Sequence, residues 1–295
     1  MLALPKSISR CCKLFVFAIL INLLFCETAR IYFFPELTRL VLILQSYRLI
    51  RAQRLLLATI VAVLTGQTLQ ADEVKIFAAA SLRDGAQELA AQYSAQTGEE
   101  TVLVFAASSA IARQIANGAP ANVALLADQE WADWLTEQGV VSDVVPFAGN
   151  RLVVFSADDT RFDDIAEFPV ALGRDVLAMA QTETVPAGRY GKAALETANL
   201  WDVLSPQIVQ AANVRAALRF VERGEAPFGI GYASDLVALP NLNEVYSFAP
   251  DSHAPIVYVA VQITPEGAGF MTFLQSDVAQ AILQVWGFSP APASR

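Results

Sequence analysis

The sequence predicts an α/β fold with mainly parallel sheets. Three observations carry this: short apolar runs alternate with amphipathic stretches from Val74 onward, glycines stop those stretches, and no repeat, heptad pattern or low-complexity tract interrupts them. Val74 to Ala79 reads as a strand, and Ser81 to Thr97 as a helix with Leu82, Ala86, Leu89, Ala90 and Tyr93 on one face and Gly98 as its stop. Strands are expected at Thr101 to Phe105, Val123 to Leu126 and Arg151 to Phe155. Helices are expected at Ser109 to Ala116, before Gly118, and at Trp131 to Gln138, before Gly139. Further on, Pro186 opens a helix and Asn213 caps another that ends before Gly224. Phe228 to Tyr232 and Ile256 to Ile263 read as strands, and Gly267 to Trp286 holds the last helices.

Residues 1–71 follow different rules. Arg51 and Arg54 precede the apolar run Leu55 to Leu64, small and polar residues lead to Ala71, and Asp72-Glu73 follow. This is the pattern of a secretory signal peptide cleaved after Ala71, with export to the periplasm. The run is short of the roughly 20 apolar residues that a membrane span needs. Fifty residues ahead of that basic pair exceed what a signal peptide carries, so Met1 is read as an upstream extension, with translation starting at a non-AUG codon among Leu40, Val41, Leu42, Leu44 and Leu49. Phe25 is too bulky for the position before a lipidated cysteine at Cys26.

Composition excludes several classes. Residues 72–295 hold 12 Lys/Arg against 27 Asp/Glu, a net −15, which repels a nucleic-acid backbone. All three cysteines lie in the first 26 residues, and His253 is the only histidine. Disulfides, zinc sites and Ser-His or Cys-His catalysis therefore lack raw material in the body, and no enzyme activity is expected. His253 reads as a surface-loop residue. Trp131, Trp134, Trp201 and Trp286 read as core, and Arg113 and Arg215 as solvated or salt-bridged, each dispensable for binding to within about 1.4 kcal/mol, a factor of ten.

Four helices are expected to begin at small or polar residues after a strand or loop: at Ser81, at Ser108-Ser109, at Ala187 after Pro186, and at Val214 after Asn213. Helix starts present unpaired N–H groups and a partial positive charge, which suit an anion. Taken singly, each is equally an ordinary N-cap, and that is the commoner use of such residues.

Longer stretches narrow the choice. Phe77-Ala78-Ala79-Ala80-Ser81-Leu82, Phe105-Ala106-Ala107-Ser108-Ser109-Ala110-Ile111-Ala112-Arg113-Gln114-Ile115 and Gly118-Ala119-Pro120-Ala121 resemble the first lobe of molybdate-binding proteins of bacterial ABC importers. Val185-Pro186-Ala187-Gly188-Arg189-Tyr190-Gly191, Val214-Arg215-Ala216-Ala217-Leu218 and Gly229-Ile230-Gly231-Tyr232-Ala233-Ser234-Asp235 resemble the following segments, in family order. The resemblance implies a two-lobed periplasmic binding protein of type II, each lobe a mainly parallel sheet flanked by helices. Lobe one would comprise 72–150 and 259–295, and lobe two 151–258. It implies ligand contacts at Ser81, Ser108, Ala187, Val214 and Tyr232, with no lysine or arginine among them. It further implies a monomer with no cofactor and no metal beyond the oxyanion, which captures molybdate or tungstate and delivers it to a membrane permease. Another tetrahedral oxyanion such as sulfate is the alternative ligand. An enzyme or a sensor on the same fold is the weaker alternative. Two departures stand out: Asn122 where the family commonly has an acid, which would weaken a strand-end contact, and Val259 where a proline usually follows the tyrosine, a difference at the hinge.

Overall fold

The computed structural model of the chain describes residues 73–292, so the expected signal peptide, its cleavage point and the upstream extension lie outside the described residues. Two five-stranded sheets organise it. The first contains β1 (Val74–Ala79), β2 (Thr101–Ala106), β3 (Val123–Leu126), β4 (Asp143–Gly149) and β10 (Val257–Gln262), in the order β2-β1-β3-β10-β4. The second contains β5 (Leu152–Ser156), β6 (Leu177–Ala180), β7 (Ile208–Ala211), β8 (Phe228–Tyr232) and β9 (Asn243–Ser247), in the order β7-β6-β8-β5-β9. β1 pairs in parallel with β2 and β3, while β10 is antiparallel to both β3 and β4. In the second sheet β6 is parallel to β7 and β8, while β5 is antiparallel to β8 and β9. Four strands of each sheet therefore share one direction and a single strand opposes them. The opposing strands are those beside the crossings: the chain leaves the first sheet between β4 and β5 and returns before β10.

The helices follow from sequence as parallel strands require. After a 3-10 turn at Ala80–Leu82 come α1 (Arg83–Thr97), α2 (Ser108–Ala116) and α3 (Gln129–Glu137). Next are α4 (Phe168–Leu172), α5 (Pro186–Thr197), α6 (Trp201–Leu204), α7 (Val214–Glu222) and α8 (Asp235–Ala238). The last are α9 (Ala268–Leu274) and α10 (Asp277–Val285). α1 buries Ala86, Leu89, Ala90 and Tyr93, the predicted face. The central strands β3, β5, β6 and β8 are buried on both faces, as sheets covered by helices on either side demand.

One expectation changes on contact with the structure and another is refined. Asn122 does not weaken its strand end: its Oδ1 accepts the Lys75 N–H at 2.7 Å and its Nδ2 donates to Thr264 Oγ1 at 2.8 Å. An amide both accepts and donates, which a carboxylate cannot. The four tryptophans pack against the core as expected, but from half-buried positions. Trp286 Nε1 donates to Glu88 at 2.7 Å, Lys192 lies 5.3 Å from the Trp201 ring centroid, and Trp131 and Trp134 pack edge to face. Half-burial leaves the indole N–H of Trp286 and of Trp131 within reach of a partner.

Candidate functional site

The five residues singled out in the sequence line one cavity between the two sheets. It encloses about 210 Å³ of space between atoms, its mouth included, and is lined by Ala79, Ala80, Ser81, Ala107, Ser108 and Ala127 from the first-sheet side. Val185, Pro186, Ala187, Asn213, Val214 and Tyr232 close it from the second. No lysine or arginine lines it.

Its walls are helix starts. The 3-10 turn begins after Ala79, α2 after Ala107 and α5 after Val185, and none of these three starts has a side-chain cap. The fourth helix start on the cavity, that of α7, is capped by Asn213, as α3 and α10 are capped by Asp128 and Ser276; α1, α4, α6, α8 and α9 have no side-chain cap either, so what marks the cavity is that several starts meet there. The capping role open to Ser81 and Ser108 is therefore not what the structure gives them. Both lie inside their helical turns, 3% and 1% exposed, and line the cavity at starts whose first-turn N–H groups have no side-chain cap. Asn213 Oδ1 takes the Ala216 N–H at 2.9 Å, so the Val214 N–H is left at the cavity wall. Gly188 lets α5 come this close: a Cβ there would lie 2.3 Å from the Gln181 carbonyl oxygen and 2.4 Å from that of Ala180.

The hydroxyls are aimed by their neighbours. Ser108 Oγ accepts the Ala127 N–H at 2.9 Å, and Ser81 Oγ accepts the Tyr258 hydroxyl at 2.9 Å. Each serine proton is thereby left to donate. Asn150 Nδ2 donates to Tyr258 Oη at 3.3 Å and to Ser234 Oγ at 2.8 Å, tying the crossing segment to the same network. The Tyr232 hydroxyl is fully buried and has no hydrogen-bond partner among the described residues. Burial, with the adjacent Tyr258 and Tyr190, pushes that phenol well above its usual range, so it stays a donor.

Charge stands one layer back. Arg215 Nε donates to Asp235 Oδ1 at 2.5 Å, its Nη2 meets Asp84 Oδ2 at 2.8 Å, and Asp235 Oδ2 accepts the Tyr232 N–H at 3.2 Å. Burial lowers the proton affinity of Arg215, but Asp235 and Asp84 outweigh it and hold the guanidinium charged. At the rim, Arg189 pairs with Asp128 at 3.2 Å and with Glu130, and Trp131 Nε1 donates to the Thr184 carbonyl at 2.9 Å. Burial raises the Asp128 carboxyl to about 6, against the Trp131 N–H and Arg189, which lower it. Sequence reasoning missed Tyr258, Asp235, Asp84 and Asp128. It also undervalued Arg215, whose loss would leave the wholly buried Asp235 without a counter-charge, so the factor-of-ten tolerance expected for it does not follow. Arg113 is exposed, as a solvated residue would be, and stacks 5.4 Å from the Trp131 ring centroid.

Residues 74–289 match the family model described as bacterial extracellular solute-binding protein. The chain belongs to that family. Within it, the molybdate-binding protein ModA of Escherichia coli (strain K12) is 39% identical over 232 residues, 74% of this chain and 90% of that protein. The molybdate-binding protein ModA of Haemophilus influenzae is 36% identical over 228 residues, again 74% and 90%. Among solved structures of the family's fold, the Azotobacter vinelandii periplasmic molybdate-binding protein superposes with a TM-score of 0.68 at 25% identity, covering 74% of this chain and all of that one. The sulfate-binding protein SubI from Mycobacterium tuberculosis reaches 0.62 at 14% identity, which speaks for the fold alone.

Proposed function

We propose that this chain is the extracytoplasmic receptor of an ABC importer, taking up molybdate, and tungstate with it, and passing it to a membrane permease. It acts as a monomer, performs no catalysis and uses no cofactor. Residues 72–150 with 259–295 form one lobe and 151–258 the other, and the crossings at the ends of β4 and β10 serve as the hinge. The chain is exported on a signal peptide cut after Ala71. An exported protein whose intact mass retained residues 1–71 would contradict this.

The observation that carries the reading is the convergence of uncapped helix starts and a partnerless Tyr232 hydroxyl on one cavity without a basic side chain. Buried donors left unpaired cost about 1–3 kcal/mol each, so such a site favours an acceptor-rich guest. The N–H and O–H of Ser81 and of Ser108, the N–H of Ala187 and of Val214, and the Tyr232 hydroxyl offer seven donors. At about 1.5–3 kcal/mol net for each bond to a charged acceptor, the gross gain is on the order of 10–20 kcal/mol. Lobe closure and lost ligand freedom subtract several, leaving submicromolar affinity.

Calorimetric titration with molybdate, tungstate and sulfate tests the reading. Donors fixed on helix starts cannot contract around the smaller sulfate, and two unpaired donors already amount to about a hundredfold. One site per chain is expected, similar for the two metal oxyanions and at least roughly a hundredfold weaker for sulfate. Sulfate binding as tightly as molybdate would overturn the assignment.

A further inference from the structure

We infer that Arg215 is the latch of the closed protein, a positioning residue that locks the two halves of the site together without touching the anion and so sets how long the anion stays. The inference rests on the oxyanion-receptor reading. Arg215 follows Val214 in the first turn of α7, which packs on the second sheet and whose start also touches the Ala80–Leu82 turn. Its two limbs reach different halves of the molecule. Nε is held by Asp235, which belongs to the same half and whose other oxygen takes the Tyr232 N–H. Nη2 crosses to Asp84, in the first turn of α1, three residues after Ser81.

One guanidinium thus joins the helix start at Val214, the strand end at Tyr232 and the turn carrying Ser81. Opening the cleft parts Asp84 from Arg215 but leaves the hydrogen-bonded Arg215–Asp235 pair whole, so the Arg215–Asp84 ion pair distinguishes closed from open. A planar fork with donors on separate nitrogens reaches two acids on different elements at once, whereas a lysine would have to hold both through one compact ammonium. Two carboxylates around one cation also leave no surplus positive charge to hold a dianion. Arg215 therefore acts on closure and not by attraction.

The test uses the exported protein and stopped-flow kinetics with molybdate. Arg215→Ala is uninformative because it strands the buried Asp235, so the cut is made at Asp84, which is 28% exposed. Asp84→Ala is expected to speed molybdate dissociation roughly tenfold with association nearly unchanged, since the one ion pair that spans the two halves at this point is lost. Arg215→Lys should show the same rise in dissociation rate, and Asp84→Glu should restore most of the wild-type value. The ligand-free melting temperature of Asp84→Ala should stay within about 2 °C of wild type. Unchanged dissociation in Asp84→Ala overturns the latch while leaving the receptor reading intact. A slowed association matched by a fall in ligand-free melting temperature also overturns it, because Asp84 then merely supports α1. A wild type that binds none of the oxyanions overturns the receptor reading and the latch together.

Discussion

Tyr232→Phe should move stability and binding in opposite directions. The Tyr232 hydroxyl is buried without a partner among the described residues, and the ring sits in a packed setting 6.0 Å from that of Tyr258. Phenylalanine keeps the ring and removes the orphaned oxygen, which relieves a desolvation cost of about 1–3 kcal/mol where the group stays dry. Opening of the ligand-free protein hydrates the hydroxyl and reduces that gain, so the expected change in ligand-free melting temperature runs from zero to a rise of a few degrees, at about 2–4 °C per kcal/mol for a body of this size. Molybdate binding loses one charge-assisted bond, about 1.5–3 kcal/mol or roughly tenfold to a hundredfold in Kd. Differential scanning calorimetry without ligand and titration with molybdate measure the two. A melting temperature several degrees lower, or an unchanged Kd, would refute the reasoning, since the hydroxyl would then be structural.

Other predictions follow from neighbouring residues. Ser108→Ala removes a donor and also the acceptor of the Ala127 N–H, so molybdate titration should show a loss of at least tenfold, whereas Arg113→Gln should lose less than tenfold. Gly188→Ala forces α5 away from the Gln181 carbonyl, and both Kd and melting temperature should worsen together; a silent substitution would show that the close approach is not required. Asp128 titrates at about 6 in the folded protein against 3.8 unfolded, so its ionisation costs stability that is fully felt above pH 6 and absent below about pH 4. Asp128→Asn keeps the cap, and its stability relative to wild type should therefore rise between pH 4 and pH 7 by on the order of 3 kcal/mol at most. Thermal melts across that range check it, and a flat difference would mean that the carboxyl is not desolvated as the structure has it.

What the sequence made legible was whatever repeats along the chain. The amphipathic face of α1, the glycine stops and the Val-rich strands all carry a period or a punctuation mark. The unread strands lacked both. β6 is Leu-Ala-Met-Ala, with no β-branched residue, and becomes a strand because β7 and β8 flank it. β4 carries Pro146, which an edge strand tolerates and a central one does not. β7, Ile-Val-Gln-Ala, is too short to show a period, and β9 is a mostly polar strand; both are edges of a sheet whose centre could be seen. At the site, the resemblance named residues that line the cavity, but periodicity alone could not separate Ser108 from an N-cap. The supporting layer was invisible for a different reason. Tyr258 lies 177 positions from Ser81, Arg189 lies 61 from Asp128 and Arg215 lies 131 from Asp84, and only folding makes such pairs neighbours.

The cavity without a cation sits in a body of net charge −15, and that has a consequence for how a guest arrives. An incoming dianion meets a like-signed protein at long range and favourable dipoles only in the last few ångströms. At physiological salt the Debye length is about 8 Å, so added salt screens the repulsion more than it weakens the enclosed contacts. Capture should therefore quicken as ionic strength rises, the reverse of an electrostatically steered receptor. A collector built this way works best in a salty, variable medium and relies on shape rather than attraction to choose what it keeps.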